Sequence, residues 1–354
     1  MNGTGEKNLQ NAKRWLRLAF AQLDRRFRRA TAGWEPEKIY LNIAGVSMRV
    51  DCYVNELVDP IRQQLAYCCQ DGDDGDHEIL LNIWNEQLAP YVAIPEWACH
   101  SNHLRTIVEY SEPHWAFQRL IAHDRERRIG YLLNPVRSAM EVFVRGHILV
   151  KSIYLALLED NRSLFHAAAI GWKNRGALIC GRGGRGKSTL AISGMIGGFQ
   201  YVSDDYLILE KNANGLCAYP IYSIVTLAEE MQAKLPPLWG DYLYPNYNGK
   251  KDVIKISARH DFFAPRLPIV VGIFPEVRTG EKPAIEAMHP GRAITQAVHS
   301  TIVQTQFQEL PKQVRRLSSL LRSLPFYRFY VGECLEENVA VLRKFLEKQN
   351  VPAE

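Results

Sequence analysis

Between Gly176 and Ile196 the chain passes from a short apolar run, Gly176-Ala177-Leu178-Ile179-Cys180, through Gly181-Arg182-Gly183-Gly184-Arg185-Gly186 into Lys187-Ser188-Thr189 and a segment of helical apolar periodicity. The run reads as a buried strand, and Ser188 to Ile196 as the helix that follows it. Glycines that accept positive φ let the intervening loop curl and turn its N–H groups inward. A glycine, four residues and then Gly-Lys-Ser is the Walker A spacing. In that pattern the loop amides cradle phosphates, the lysine reaches the outer ones and the serine hydroxyl holds Mg²⁺. The expected phosphate-binding residues are therefore Gly181, Gly183, Gly184, Arg185, Gly186, Lys187, Ser188 and Thr189, with Ser188 also a metal ligand. Arg182 and Arg185 either add positive charge at the phosphates or face solvent.

A second feature follows closely. Gln200 to Glu210 reads as a strand interrupted by Asp204-Asp205, and two adjacent carboxylates in an apolar strand are costly without cationic partners or Mg²⁺. Asp204 comes 17 positions after Lys187, so the helix is expected to lead straight back to a neighbouring strand. Upstream, Phe165-His166-Ala167-Ala168-Ala169-Ile170 reads as the first strand of this domain, with Gly171 to Arg175 as its turn into the strand before the loop. Downstream, Leu267 to Phe274 and Phe326 to Val331 read as strands, residues 291 to 322 as mainly helical, and Leu335 to Gln349 as a closing amphipathic helix. Tyr219 to Tyr222 and Leu235 to Gly240 read as irregular. Tyr242, Tyr244 and Tyr247 cluster as candidate pocket residues, and one or two of Lys250, Lys251, Lys255, Arg259 and Arg266 are candidates to meet phosphate.

The N-terminal part has a different character. Asn8 to Arg29 reads as a basic amphipathic helix with Trp15, Leu16, Ala19, Leu23 and Phe27 on one face, better explained as a packing helix with solvated arginines than as a membrane or peptide surface. Ile39 to Tyr53 reads as a hairpin around Ala44-Gly45, Glu56 to Cys69 as a helix, and Glu78 to Trp84, Thr106 to Tyr110 and Gly130 to Leu133 as strands. The acidic run Asp71 to Asp76 lacks the calcium-loop order and reads as a solvated turn. Trp97, His100, His103, His114 and Trp115 lack metal-site regularity. Val136 to Glu159 reads as a long buried helix. The expected domains are residues 1–33 (basic helix), 34–160 (β-rich or mixed) and 161–354 (the glycine-loop domain).

Length and charge allow this division. The 354 residues suffice for two domains, and a net charge of +5 is too small to demand a nucleic-acid partner, so none is expected. The seven cysteines form no C-x-x-C pair or disulfide framework. No apolar run approaches the length of a membrane span, so a soluble cytoplasmic protein is expected.

With His166, the loop at Gly181 to Thr189 and Ser203-Asp204-Asp205 in this order, the chain resembles the HPr kinase/phosphorylase family and its relatives with the phosphoenolpyruvate carboxykinase-like nucleotide fold. The resemblance covers residues 163 to 210. It implies an α/β domain of mixed sheet and flanking helices, joined here to a smaller β-rich N-terminal domain, and transfer of the γ-phosphoryl group of ATP, with Mg²⁺, to a serine hydroxyl of a peptide or protein. On this resemblance Lys187 holds the outer phosphates, Ser188 and Asp205 hold the metal, Asp204 is the base and His166 lies near the transferred group, with the roles of the two aspartates open to exchange. The chain lacks the Arg-Gly-x-Gly loop of the HPr enzymes after its acidic pair. It therefore looks closer to the kinases of lasso-peptide precursors, which phosphorylate a terminal serine, and HPr is not the expected acceptor. ATP rather than GTP, and the acceptor itself, rest on the resemblance alone. The competing readings are a small-molecule hydroxyl kinase and a nucleotide-binding regulatory module, the latter requiring no acceptor base.

Overall fold

The structure is a computed structural model, and it describes residues 3–72, 77–86, 105–112, 117–134, 146–233, 240–245, 251–256, 262–278, 280–305 and 310–350. The fold is mixed α/β. The chain divides into two compact units, the first comprising Met1–Gln63 and Cys69–Leu157 and the second Gln64–Cys68 and Leu158–Glu354.

The first unit opens with helix α1 (Gly3–Ala30) and the hairpin of β1 (Glu37–Ile43) and β2 (Val46–Cys52). Ala44 and Gly45 both take positive φ, 54° and 81°, which is the two-residue turn whose twist suits a hairpin. Helix α2 (Asn55–Gln64) is shorter than the expected Glu56 to Cys69. Strands β3 (Ile79–Asn85), β4 (Arg105–Glu112), β5 (Phe117–Asp124) and β6 (Ile129–Asn134) complete a six-stranded mixed sheet in the order β1-β2-β3-β6-β5-β4. β5 was not expected from the sequence. Leu16, Phe20 and Leu23 of α1 are buried against Trp84, Ala122, Tyr131 and Leu133 of the sheet. Asp24 locks that contact by accepting hydrogen bonds from Tyr131 and from Arg127. The helix is thus a packing helix, with Arg14, Arg17, Arg25, Arg28 and Arg29 exposed to solvent.

Of the expected long helix from Val136 to Glu159, the described part is helical over α3 (Val150–Leu157), and Leu149 immediately before it adopts a left-handed φ of 61°. Residues 135–145 lie outside the described residues, as do Trp97, His100, His103, His114, Trp115 and most of the acidic run.

The second unit contains β7 (Arg162–His166), β8 (Ala168–Trp172), β9 (Arg175–Ile179), α4 (Lys187–Ile196), β10 (Gln200–Ser203), β11 (Tyr206–Asn212) and β12 (Gly215–Pro220). Next come β13 (Ile224–Leu227), the helical turn Glu229–Gln232, β14 (Gly240–Pro245), β15 (Asp252–Ile256), β16 (Leu267–Val277) and β17 (Ala284–Ala287). Helices α5 (Pro290–Thr305) and α6 (Leu310–Leu321), strand β18 (Phe326–Val331) and helix α7 (Leu335–Glu347) follow. The region expected to be irregular from Tyr219 is in part strand β12, because it pairs with both β11 and β16.

The main sheet has nine strands, in the order β10-β8-β9-β16-β12-β11-β7 with β18 and β17 branching from β16; β13, β15 and β14 form a separate three-stranded sheet. β7 and β8 are separated only by Ala167, and β10 and β11 only by Asp204-Asp205, yet β10 and β8 lie at one end of the strand order and β11 and β7 at the other. The sheet therefore rolls until its ends meet. The run from Phe165 to Ile170 is accordingly two strands rather than the expected one. Leu190, Ala191, Ile192 and Met195 of α4 pack one face with Ile170, Ile179 and Phe329, and α5 and α6 cover the other through Ala293, Ala297, Leu317 and Leu320. No described helix is long and apolar enough to cross a membrane.

Candidate functional site

The site is assembled where the rolled sheet closes. In β7 and β11 His166 lies opposite Tyr206, while in β8 and β10 Ala169 lies opposite Ser203. The two breaks in pairing thus coincide, so that Asp204 and Asp205 face the bend just after His166. Ser203 shapes the bend by donating its hydroxyl to Tyr206 O at 2.7 Å and accepting the Asp205 N–H at 3.3 Å. A short polar side chain that offers the backbone local partners stabilises such a turn where the ladder is interrupted.

On the adjoining parallel strands, Cys180 N–H donates to Ile273 O, and the chain then leaves β9 into the glycine loop. Gly181, Gly184 and Gly186 take φ of 140°, 78° and 88°, conformations closed to most side-chain-bearing residues. Helix α4 starts from Gly186 without a side-chain cap. Its first N–H groups, at Lys187, Ser188 and Thr189, therefore point out of the helix toward the loop, with the positive end of the helix dipole behind them. Strand, glycine loop and helix follow in the order expected from the sequence.

Lys187 is 6% exposed, and its Nζ donates to Gly181 O at 2.9 Å and Arg182 O at 3.4 Å. An ammonium has three donors, so one remains for an anion. Burial pushes the Lys187 pKa down, and the carboxylates of Asp205 and Asp204 oppose that shift. Arg182 and Arg185 are exposed.

The two aspartates differ sharply. Asp204 is 2% exposed and takes a hydrogen bond from the Ser188 hydroxyl and a long one, 3.5 Å, from Thr226 N–H on β13. Burial, reinforced by the charge of Asp205, pushes its carboxyl up to about 7 against the pull of Lys251 and these two donors. Asp205 is the more accessible, with 27% of its side chain exposed, and its Oδ1 lies 2.7 Å from Nε2 of His166. The other ring nitrogen of His166, Nδ1, is 3.0 Å from Ser300 Oγ on α5, and the His166 backbone N–H donates to Thr301 Oγ1 at 3.2 Å. Ser300 in turn donates to Gly181 O at 2.9 Å.

Every residue expected at the site from Gly181 to Thr189, together with His166, Asp204 and Asp205, lies in this one region. Of the five candidate cations, Lys251 precedes β15 and acts electrostatically on both Asp204 and Lys187. Arg266 instead donates to Cys217 Sγ, Lys255 lies within β15, and Lys250 and Arg259 lie outside the described residues. Tyr242 and Tyr244 lie on β14, and Tyr247 is outside the described residues. Ser300, Thr301 and Thr226 had no sequence signal, since a hydroxyl on an amphipathic helix or within a strand is unremarkable until its partner is known.

The arrangement fits a phosphate group and a hard divalent cation. The uncapped helix end and Lys187 suit an anion, while the Ser188 hydroxyl and the Asp204 carboxylate are oxygen donors of the kind Mg²⁺ takes. Among the described residues no cluster of three or more His, Cys, Asp or Glu is arranged for metal binding, so such a cation would draw its remaining oxygens from phosphate and water.

No protein-family model matches the chain, and no curated protein matches it. A structure of the HPr(Ser) kinase/phosphatase from Coxiella burnetii is similar over 52% of this chain and 99% of that one, with 14% sequence identity and a TM-score of 0.28. So loose a superposition adds nothing to the geometry above.

Proposed function

We propose that the second unit is an ATP- and Mg²⁺-dependent phosphotransferase that passes a phosphoryl group to a hydroxyl, the serine of a peptide or protein. The observation that carries this reading is the pairing of an accessible carboxylate, Asp205, with His166, beside a glycine loop, the buried Lys187 that follows it and a second, buried carboxylate, Asp204. A nucleotide-dependent switch needs the loop and the cation but has no use for a carboxylate exposed toward an acceptor.

The division of labour proposed here exchanges the roles first expected for the aspartates. Asp204 is too buried to touch an acceptor and hydrogen-bonds Ser188, so these two would hold Mg²⁺, the cation displacing the proton that burial favours on Asp204. Asp205 is accessible and oriented by His166, so it would accept the proton of the acceptor hydroxyl. Lys187 and the first amides of α4 would hold the outer phosphates and neutralise the charge that develops on them. Bound MgATP supplies the phosphoryl group.

The two carboxylates are separable by experiment. Asp205→Asn is expected to bind ATP with near wild-type affinity while transfer falls about 100- to 10,000-fold, the range of a lost general base. Asp204→Asn and Ser188→Ala are expected to raise the Mg²⁺ concentration needed for half-maximal rate. If Asp205→Asn alone changes the Mg²⁺ requirement and Asp204→Asn does not, the assignment is reversed.

A further inference from the structure

Helix α5 contributes two adjacent hydroxyls, Ser300 and Thr301, that reach into the site from a segment carrying no nucleotide-binding motif. Both are buried, at 5% and 1% exposure, and they grip His166 at two points. Thr301 Oγ1 accepts the His166 backbone N–H at 3.2 Å and is itself 3.3 Å from Ala297 O, to which its hydroxyl donates, so the strand end is pinned to the helix. Ser300 Oγ lies 3.0 Å from the ring Nδ1 and 2.9 Å from Gly181 O.

A serine hydroxyl has one proton. Gly181 O can only accept, so that proton is committed to the loop carbonyl, and Ser300 meets His166 through an oxygen lone pair. Nδ1 therefore donates to Ser300, and Nε2, facing a carboxylate oxygen that can only accept, donates to Asp205, so the ring is held at both edges in one orientation. We infer that Ser300 is a positioning residue for phosphoryl transfer, joining the first carbonyl of the glycine loop to the His166–Asp205 pair so that phosphate cradle and acceptor base are held in one frame. This inference rests on the phosphotransferase reading of the site.

The two ends of the link are not equally dependent on Ser300. Gly181 O has a second donor, Lys187 Nζ at 2.9 Å, so the loop keeps an anchor when Ser300 is removed. The Nδ1 of a His166 that is 5% exposed loses the partner that orients it. Removal should therefore affect turnover more than nucleotide binding, which a general weakening of the fold would not do.

The test compares wild type, Ser300→Ala, Ser300→Thr, His166→Ala and the Ser300→Ala/His166→Ala double variant in the full chain. Transfer kinetics at varied ATP and urea unfolding midpoints are measured for each. The expected result is a kcat about 10- to 100-fold lower in Ser300→Ala, with the ATP KM changed less than about 3-fold and activity recovered in Ser300→Thr, which keeps the hydroxyl. In the His166→Ala background, removing Ser300 should lower kcat no further and should shift the urea midpoint less than it does in the wild-type background, because only the contact with Gly181 O is then left to lose. Wild-type kcat in Ser300→Ala, or effects of the two substitutions that simply multiply, would overturn the inference. If wild-type protein transfers no phosphate, the phosphotransferase reading fails separately. The urea midpoints then decide the structural link, non-additive shifts supporting it and additive shifts overturning it.

Discussion

Asp204 and Asp205 are neighbours in the chain with opposite surroundings, and the difference has a thermodynamic consequence. An aspartate in an unfolded chain titrates near 4, whereas burial and the charge of Asp205 raise Asp204 to about 7 in the folded protein. Between those values the folded state keeps a proton that the unfolded state has released. Stability from this group is therefore fully present below about pH 4 and is lost as pH rises through about 7. Asp204→Asn removes the titration while keeping an oxygen to accept from Ser188 and Thr226. In metal-free buffer it is expected to be more stable than wild type at pH 8, by on the order of 4 kcal/mol, with the gap closing toward pH 4. Urea unfolding across this range measures it. A gap that is constant with pH would show that Asp204 titrates alike in the folded and unfolded states and is not raised by burial.

At the scale of elements, the close approach of β9 to β16 sets where the glycine loop begins. A Cβ on Gly176 would lie 2.4 Å from Pro268 O and 2.9 Å from the Leu267 and Ile269 side chains, so β9 can sit against β16 only without a side chain there. Gly176→Ala is expected to cost about 1–3 kcal/mol, the range of overpacking in a close-packed core. Gly183→Ala, where a Cβ would meet nothing within 4 Å, should stay within about 0.5 kcal/mol of wild type. Equal unfolding midpoints for the two variants would contradict this account of the strand pair.

The same scale explains what was legible in the sequence. The strand, loop and helix from Gly176 to Ile196 could be read because their chemistry is local, as glycine spacing, an apolar run and a lysine suffice. The hairpin at Ala44-Gly45 was legible for the same reason. The break at Ala167 was not, since a periodic apolar run does not reveal that its two halves pair with different partners at opposite ends of a rolled sheet. Ser300 is 134 residues from His166, and only the packing of α5 brings them together. The exchange of aspartate roles proposed above likewise depends on burial, which adjacent identical residues cannot disclose.

At the scale of the whole molecule, the chain comprises a sheet unit packed by α1 and a rolled-sheet unit that contains every residue of the candidate site. The arginines of α1 are solvent-exposed on a helix whose apolar face is already used by its own sheet. The central claim therefore concerns the second unit, tested within the intact chain: the loop and Lys187 hold the phosphates while Asp205 serves the acceptor. The most direct measurement is transfer of label from γ-labelled ATP to serine-containing peptides in the presence of Mg²⁺. The account predicts phosphoserine on the peptide, reduced about 100- to 1,000-fold in Lys187→Met, where the phosphate-neutralising charge is lost. ATP turnover that labels no serine peptide, or peptide labelling that persists undiminished in Lys187→Met, would contradict it.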